Sequence, residues 1–200
     1  MSLSAEDIVL IRAQARVLLS LTAITWIIHF INWGLFRGWL IWAFALRPRN
    51  LWGLVGIFTF PFLHLSNRHL TGNTGAFLLL GWFVLLQGIH LFYVVTIGIA
   101  LLGGLGTWLM ARPNGVVGAS GVIYGYMGFL LIYGITAGSA LAMILALIWL
   151  YRDGWRITGD KYNASQILPG GNPRMSWEGH FCGFIAGALV AFLLSEWRFN

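Results

Sequence analysis

Polar and apolar positions along this chain fall in long blocks rather than alternating residue by residue. Val17 to Phe36 is apolar over the roughly 20 residues that a bilayer-spanning helix needs. A broken stretch follows, Gly38 to Leu65, interrupted by Arg47, Pro48, Arg49 and Pro61. Its apolar part, Leu51 to Leu63, runs 13 residues, a length that suits an interfacial or re-entrant segment. Further apolar blocks run from Asn67 to Gln87, Ile89 to Met110, Gly118 to Tyr133, Gly138 to Tyr151 and Trp177 to Phe199. The pattern predicts an all-α polytopic membrane protein with six transmembrane helices. One domain covers residues 1–200, a polar segment 1–16 followed by a six-helix core 17–199.

Composition sharpens this reading. Hydrophobic residues make up 58% of the chain and charged residues 9%, against about 25% charged in soluble domains. So few charges cannot cover a water-soluble globule of this size. Many of the 11 tryptophans sit near span ends, where amphipathic rings favour the interface. The net charge of +6 comes without a basic run, which argues against nucleic-acid binding. Cys182 is alone, so it forms no internal disulfide and no cysteine-based zinc cluster; it reads as a small packing residue. The first 16 residues lack the layout of a cleavable signal peptide, and the first span reads as a retained anchor.

Orientation is contested within the sequence. Arg37, Arg47, Arg49, Arg68, Arg112, Arg152, Arg156, Lys161 and Arg174 lie in or beside the loops that follow the odd-numbered spans. Counted naively, that bias puts those loops in the cytoplasm.

Polar groups inside a membrane are functional suspects. His29 and Asn32 share the first span at i, i+3 and are expected to make an interhelical hydrogen bond; His90, at a span end, is expected to reach the interface. His69 and Asn73 open the second span, Ser120 the fourth and His180 the sixth. All three helices are even-numbered, so topology gathers these residues in one layer at one membrane face. Gly179, Gly183 and Gly187 form a small-residue ridge, and Gly121 and Gly125 form another. Two such ridges allow close helix approach, which would bring Ser120 within reach of His180. Ser120 stands between Gly118-Ala119 and Gly121 at a helix N-terminus, where N–H groups and the helix dipole favour a developing oxyanion.

Elimination narrows the chemistry. Every carboxylate (Glu6, Asp7, Asp153, Asp160, Glu178, Glu196) lies outside the spans or at their edges. An aspartyl dyad, a Ser-His-Asp triad and carboxylate-driven transport lack their acids, and no HExxH motif exists for a zinc protease. A Ser-His dyad is the hydrolytic option left.

Three motifs now resemble the rhomboid intramembrane serine proteases. They are His64-x4-His69-x3-Asn73, then Gly118-Ala119-Ser120-Gly121 with Tyr124, then Ser176-Trp177-Glu178-Gly179-His180-x-x-Gly183-x-x-x-Gly187, in order on the second, fourth and sixth spans. The resemblance implies a nucleophile at Ser120 and a general base at His180. It implies oxyanion donors from His69, Asn73 and the Ala119 and Ser120 backbone. Tyr124 would face the imidazole, with Gly118, Gly121 and His64 in support. No metal or cofactor is implied. The implied partners are transmembrane protein substrates and the lipid bilayer, and the implied location is the cell membrane, multi-pass, of the bacterial inner or plasma type. The family usually keeps its N-terminus cytoplasmic, against the arginine count, and we take the family topology as the expectation. The family's larger first loop, with its Trp-Arg pair, has no clear counterpart in Gly38 to Leu65.

Overall fold

The computed structural model describes residues 4–139, 142–144, 147–148 and 176–198. The first helix, α1, is Ala5–Gly34, so most of the polar N-terminal segment is already helical. The cause is a capping box. Ser4 Oγ accepts the Asp7 N–H at 3.1 Å, and an Asp7 carboxylate oxygen accepts the Ser4 N–H at 3.0 Å. At 1.5 Å per residue α1 is about 45 Å long, against a hydrocarbon layer of about 30 Å. Its charged first turns therefore continue the helix beyond the bilayer.

The broken stretch after α1 folds into short pieces. They are α2 (Trp39–Phe44), a 3-10 turn at Leu51–Leu54, α3 (Gly56–Thr59) and a second 3-10 turn at Phe60–Phe62. His29 makes the interhelical bond expected of it, Nε2 to Asn67 Oδ1 at 2.8 Å. Asn32 makes one as well, to the short helix that follows: its Oδ1 accepts the Leu40 N–H at 3.0 Å and ties the start of α2 to the end of α1.

Three longer helices follow: α4 (Asn67–Leu85), α5 (Ile89–Met110) and α6 (Ser120–Thr136). The last described helix, α7, is Trp177–Arg198. The fifth expected span and the polar loop 152–174 lie outside the described residues, apart from 138–139 and helical residues at 142–144 and 147–148. Among the described residues, Ala5–Gly34, Ile89–Met110 and Trp177–Ser195 are long and apolar enough to cross a membrane. The protein is therefore a membrane protein, with five of the six expected helices in view. Of the other two, α4 carries Asn67, Arg68, His69 and Asn73 in its first two turns, and α6 is short.

Helix α6 forms the centre. It is apolar on all sides, and every residue from Gly121 to Leu130 is buried, which is how a helix without a polar face is accommodated. It packs most extensively on α7 and also touches α4 and α5. At 17 residues it is about 26 Å long, shorter than the hydrocarbon layer, and it starts at Ser120. The chain reaches that start without exposing bare backbone. Leu46 and Val116 exchange both backbone hydrogen bonds, and the Gly118 N–H donates to Phe60 O at 2.8 Å.

Candidate active site

The starts of α6 and α7 meet at one point. Ser120 Oγ lies 2.9 Å from His180 Nε2, hydrogen-bond distance for a hydroxyl and an imidazole. The glycines explain the approach. A Cβ on Gly183 would overlap the Gly121 carbonyl, and one on Gly187 would overlap the Gly125 carbonyl. Only bare backbone lets these helices come so close. Tyr124, one turn beyond Ser120, stacks on His180 with ring centroids 4.3 Å apart and planes 19° from parallel. Both rings are buried, at 3% and 5% exposure. No side chain caps α6, so the Ser120 hydroxyl is engaged with the imidazole rather than with its own helix end.

The other side of Ser120 is built by the start of α4. Ser66 caps that helix by accepting the His69 N–H at 3.2 Å, and Asn73 follows one turn later. Both side chains lie over Gly118. A Cβ there would stand 2.8 Å from the His69 ring and 3.2 Å from Asn73 Nδ2, and the φ of +116° also excludes an ordinary side chain. His64, 1% exposed, joins the group. The Asn73 amide donates to its Nε2 at 2.9 Å, and the Ala119 N–H points at the same nitrogen from 3.5 Å. Two N–H groups converging on Nε2 leave that nitrogen as the acceptor of a neutral imidazole. The His64 and His69 rings are 5.0 Å apart. His64, Asn73 and Ala119 border a cavity of about 300 Å³ whose remaining wall is mostly apolar and comes from α1, the 57–62 segment, α4, α5 and Val122.

The structure thus gathers the expected site residues into two adjoining sets. Ser120, Tyr124 and His180 form one; His64, His69, Asn73, Gly118 and Ala119 form the other, joined through the Ala119–Ser120 peptide. Gly121 lies under the first set, against the Gly179 carbonyl.

The rhomboid domain matches residues 48–197. The chain belongs to the rhomboid family. Curated relatives of this rhomboid include Uncharacterized protein Rv1337 of Mycobacterium tuberculosis, 36% identical over 157 residues that cover 76% of this chain and 63% of that one. Uncharacterized protein ML1171 of Mycobacterium leprae is 34% identical over 164 residues, 75% of this chain and 59% of that one. The chain spans about three-fifths of the length of these relatives.

The apolar pattern does not mark three residues that adjoin the rhomboid's site, Glu178, Arg112 and Ser176. Glu178 falls at a span edge in that pattern, yet it is 3% exposed and forms an ion pair with Arg112 at 2.7 Å. That hydrogen bond raises the Arg112 pKa above its ordinary value. Ser176 belongs to the third motif but carries a second signal, a serine just before an apolar run. It caps α7 by accepting the Gly179 N–H at 3.2 Å. Nothing local in the sequence points to Arg112, since its partner lies 66 residues away.

Proposed function

We propose that this rhomboid is a multi-pass intramembrane serine protease of the cell membrane that hydrolyses a peptide bond in or near a transmembrane segment of another protein. The 2.9 Å contact between Ser120 Oγ and His180 Nε2, at a helix N-terminus, carries the reading. His180 takes the hydroxyl proton as Oγ attacks the scissile carbonyl carbon, and the carbonyl π electrons move onto oxygen. That oxygen settles at the start of α6, with the Ser120 N–H, His69 and Asn73 as donors. The Ala119 N–H joins them once the substrate oxygen replaces its long contact to His64. Collapse breaks the C–N bond, and His180 passes its proton to the leaving amine. Water then attacks the acyl-serine with the same base. Tyr124 stacks on the imidazole and helps fix the ring. The reaction needs no metal or cofactor.

The test is labelling of the detergent-purified protein by a fluorophosphonate. Wild type labels, Ser120→Ala does not, and His180→Ala labels at least about a thousandfold more slowly. Equal labelling of all three, or none of wild type, sinks the reading and leaves a rhomboid-fold protein without this catalysis.

A further inference from the structure

The packing that joins α6 to α7 loosens toward the end where the chemistry would occur. At Gly187 and Gly183 an added Cβ would overlap backbone of α6, whereas at Gly179 it would meet only ordinary contacts, Ser176 Oγ at 3.5 Å and Val116 at 3.6 Å. Glycine packing therefore grips α7 most tightly from its second turn onward. His180 is in the first turn, where Gly121 faces the Gly179 carbonyl and Tyr124 stacks on the imidazole ring, and the looser turn that carries the ring calls for a further anchor.

The Arg112–Glu178 pair meets that need. Arg112 lies two residues past α5, at the head of the connection that leads to Ser120, and Glu178 lies two residues before His180. Arg112 Nε donates to Oε1 at 2.7 Å, Nη2 donates to Oε2 at 3.3 Å, and the Arg112 N–H reaches Oε1 at 3.3 Å. A two-pronged guanidinium contact fixes direction as well as distance. Ser176 Oγ, which caps the helix, lies 3.2 Å from Oε2, so the carboxylate braces the cap too. Residues two apart on a helix point about 200° from each other. Glu178 therefore holds the back of the turn whose front presents His180.

We propose that Arg112 and Glu178 are positioning residues, a latch that sets the first turn of α7 so that His180 Nε2 meets Ser120 Oγ. The latch rests on the serine-protease reading for its consequence, but its effect on α7 is measurable without activity.

Two measurements on the full chain in detergent test it: fluorophosphonate labelling over a concentration series, and amide hydrogen exchange. In Arg112→Ala the limiting labelling rate falls about tenfold to a hundredfold, with apparent probe affinity within about twofold of wild type. Exchange quickens in the first turn of α7 and stays as it was in α4 and α5. Arg112→Lys recovers part of the rate, because an ammonium keeps the charge and loses the fork. Wild-type labelling and exchange in Arg112→Ala would overturn the latch, as would faster exchange with an unchanged rate. If Arg112→Ala does not fold, Glu178→Gln, of the same shape, replaces it: slower labelling with faster α7 exchange supports the latch, and wild-type behaviour overturns it. A wild type that labels no better than Ser120→Ala defeats the protease reading instead. Exchange alone then judges the latch: faster in α7 supports it, unchanged overturns it.

Discussion

The two sides of Ser120 are held by different physics. On the His180 side, α6 and α7 approach through bare glycine backbone, with buried aromatic rings stacked between them. On the Asn73 side, three segments meet through hydrogen bonds converging on His64, beside a cavity of about 300 Å³. The first is dense and has no spare volume. The second is roomy, and its geometry depends on which polar atoms are present. A site so divided should fail on one side when carbon is added and on the other when a donor is removed.

The largest effect is expected from adding carbon on the dense side. In Gly183→Leu the first new carbon already overlaps the Gly121 carbonyl, so the helices must separate. Overpacking of this kind costs about 3 kcal/mol or more. The displaced His180 no longer reaches Ser120, and a misplacement of about 1 Å is worth about a hundredfold in rate. Thermal unfolding in detergent and fluorophosphonate labelling read the two consequences. A variant that keeps its unfolding midpoint and its labelling would show that the close approach is not what assembles the dyad.

Removing a donor on the other side should separate rate from stability. Asn73→Ala takes away an amide that reaches His64 and, in the proposed mechanism, the oxyanion. Turnover of a transmembrane substrate in reconstituted vesicles is expected to fall about 10–10³-fold. Stability should fall only by about 1 kcal/mol, the worth of one hydrogen bond. Unchanged turnover would take Asn73 out of the chemistry and leave it a strut for His64.

What the sequence revealed follows the same division. Helix α5 runs over the residues its apolar block predicted, and α7 starts at the expected Trp177, because a bilayer-length apolar run leaves little else for the backbone to do. The meeting of α6 and α7 was legible too, since small-residue spacing is a local pattern with a direct packing meaning. Contacts between distant segments were not. Asn32 capping α2, His64 receiving two donors and Arg112 reaching Glu178 each depend on where loops return. The start of α1 was missed although its signal was local, a serine three residues before an aspartate. The arginine count suffers from the same blindness. Arg49 Nη1 donates to the carbonyls of Leu109 and Ala111 at the end of α5, Arg47 bonds Trp42 O, and Arg112 holds Glu178. Arginines engaged this way report on packing as much as on membrane orientation, so the count carries less weight against the family topology than its size suggests.

The smallest effect makes the most discriminating test of the two sides. Ala100 lies on α5 and lines the cavity, partly buried. Ala100→Val adds aliphatic carbon, the same kind of change as Gly183→Leu, but into open space. The expected cost is below about 1 kcal/mol, most of it the lower helix propensity of a β-branched residue. Labelling should stay within about twofold of wild type. A destabilisation close to that of Gly183→Leu would mean that the cavity closes in the working protein, and the contrast between a dense and a roomy side would fall. A loss of labelling at unchanged stability would mean something different. The cavity borders Asn73 and Ala119, so crowding it would then be felt by the donors of the proposed oxyanion site, and its volume would be part of how that side works rather than space left between helices.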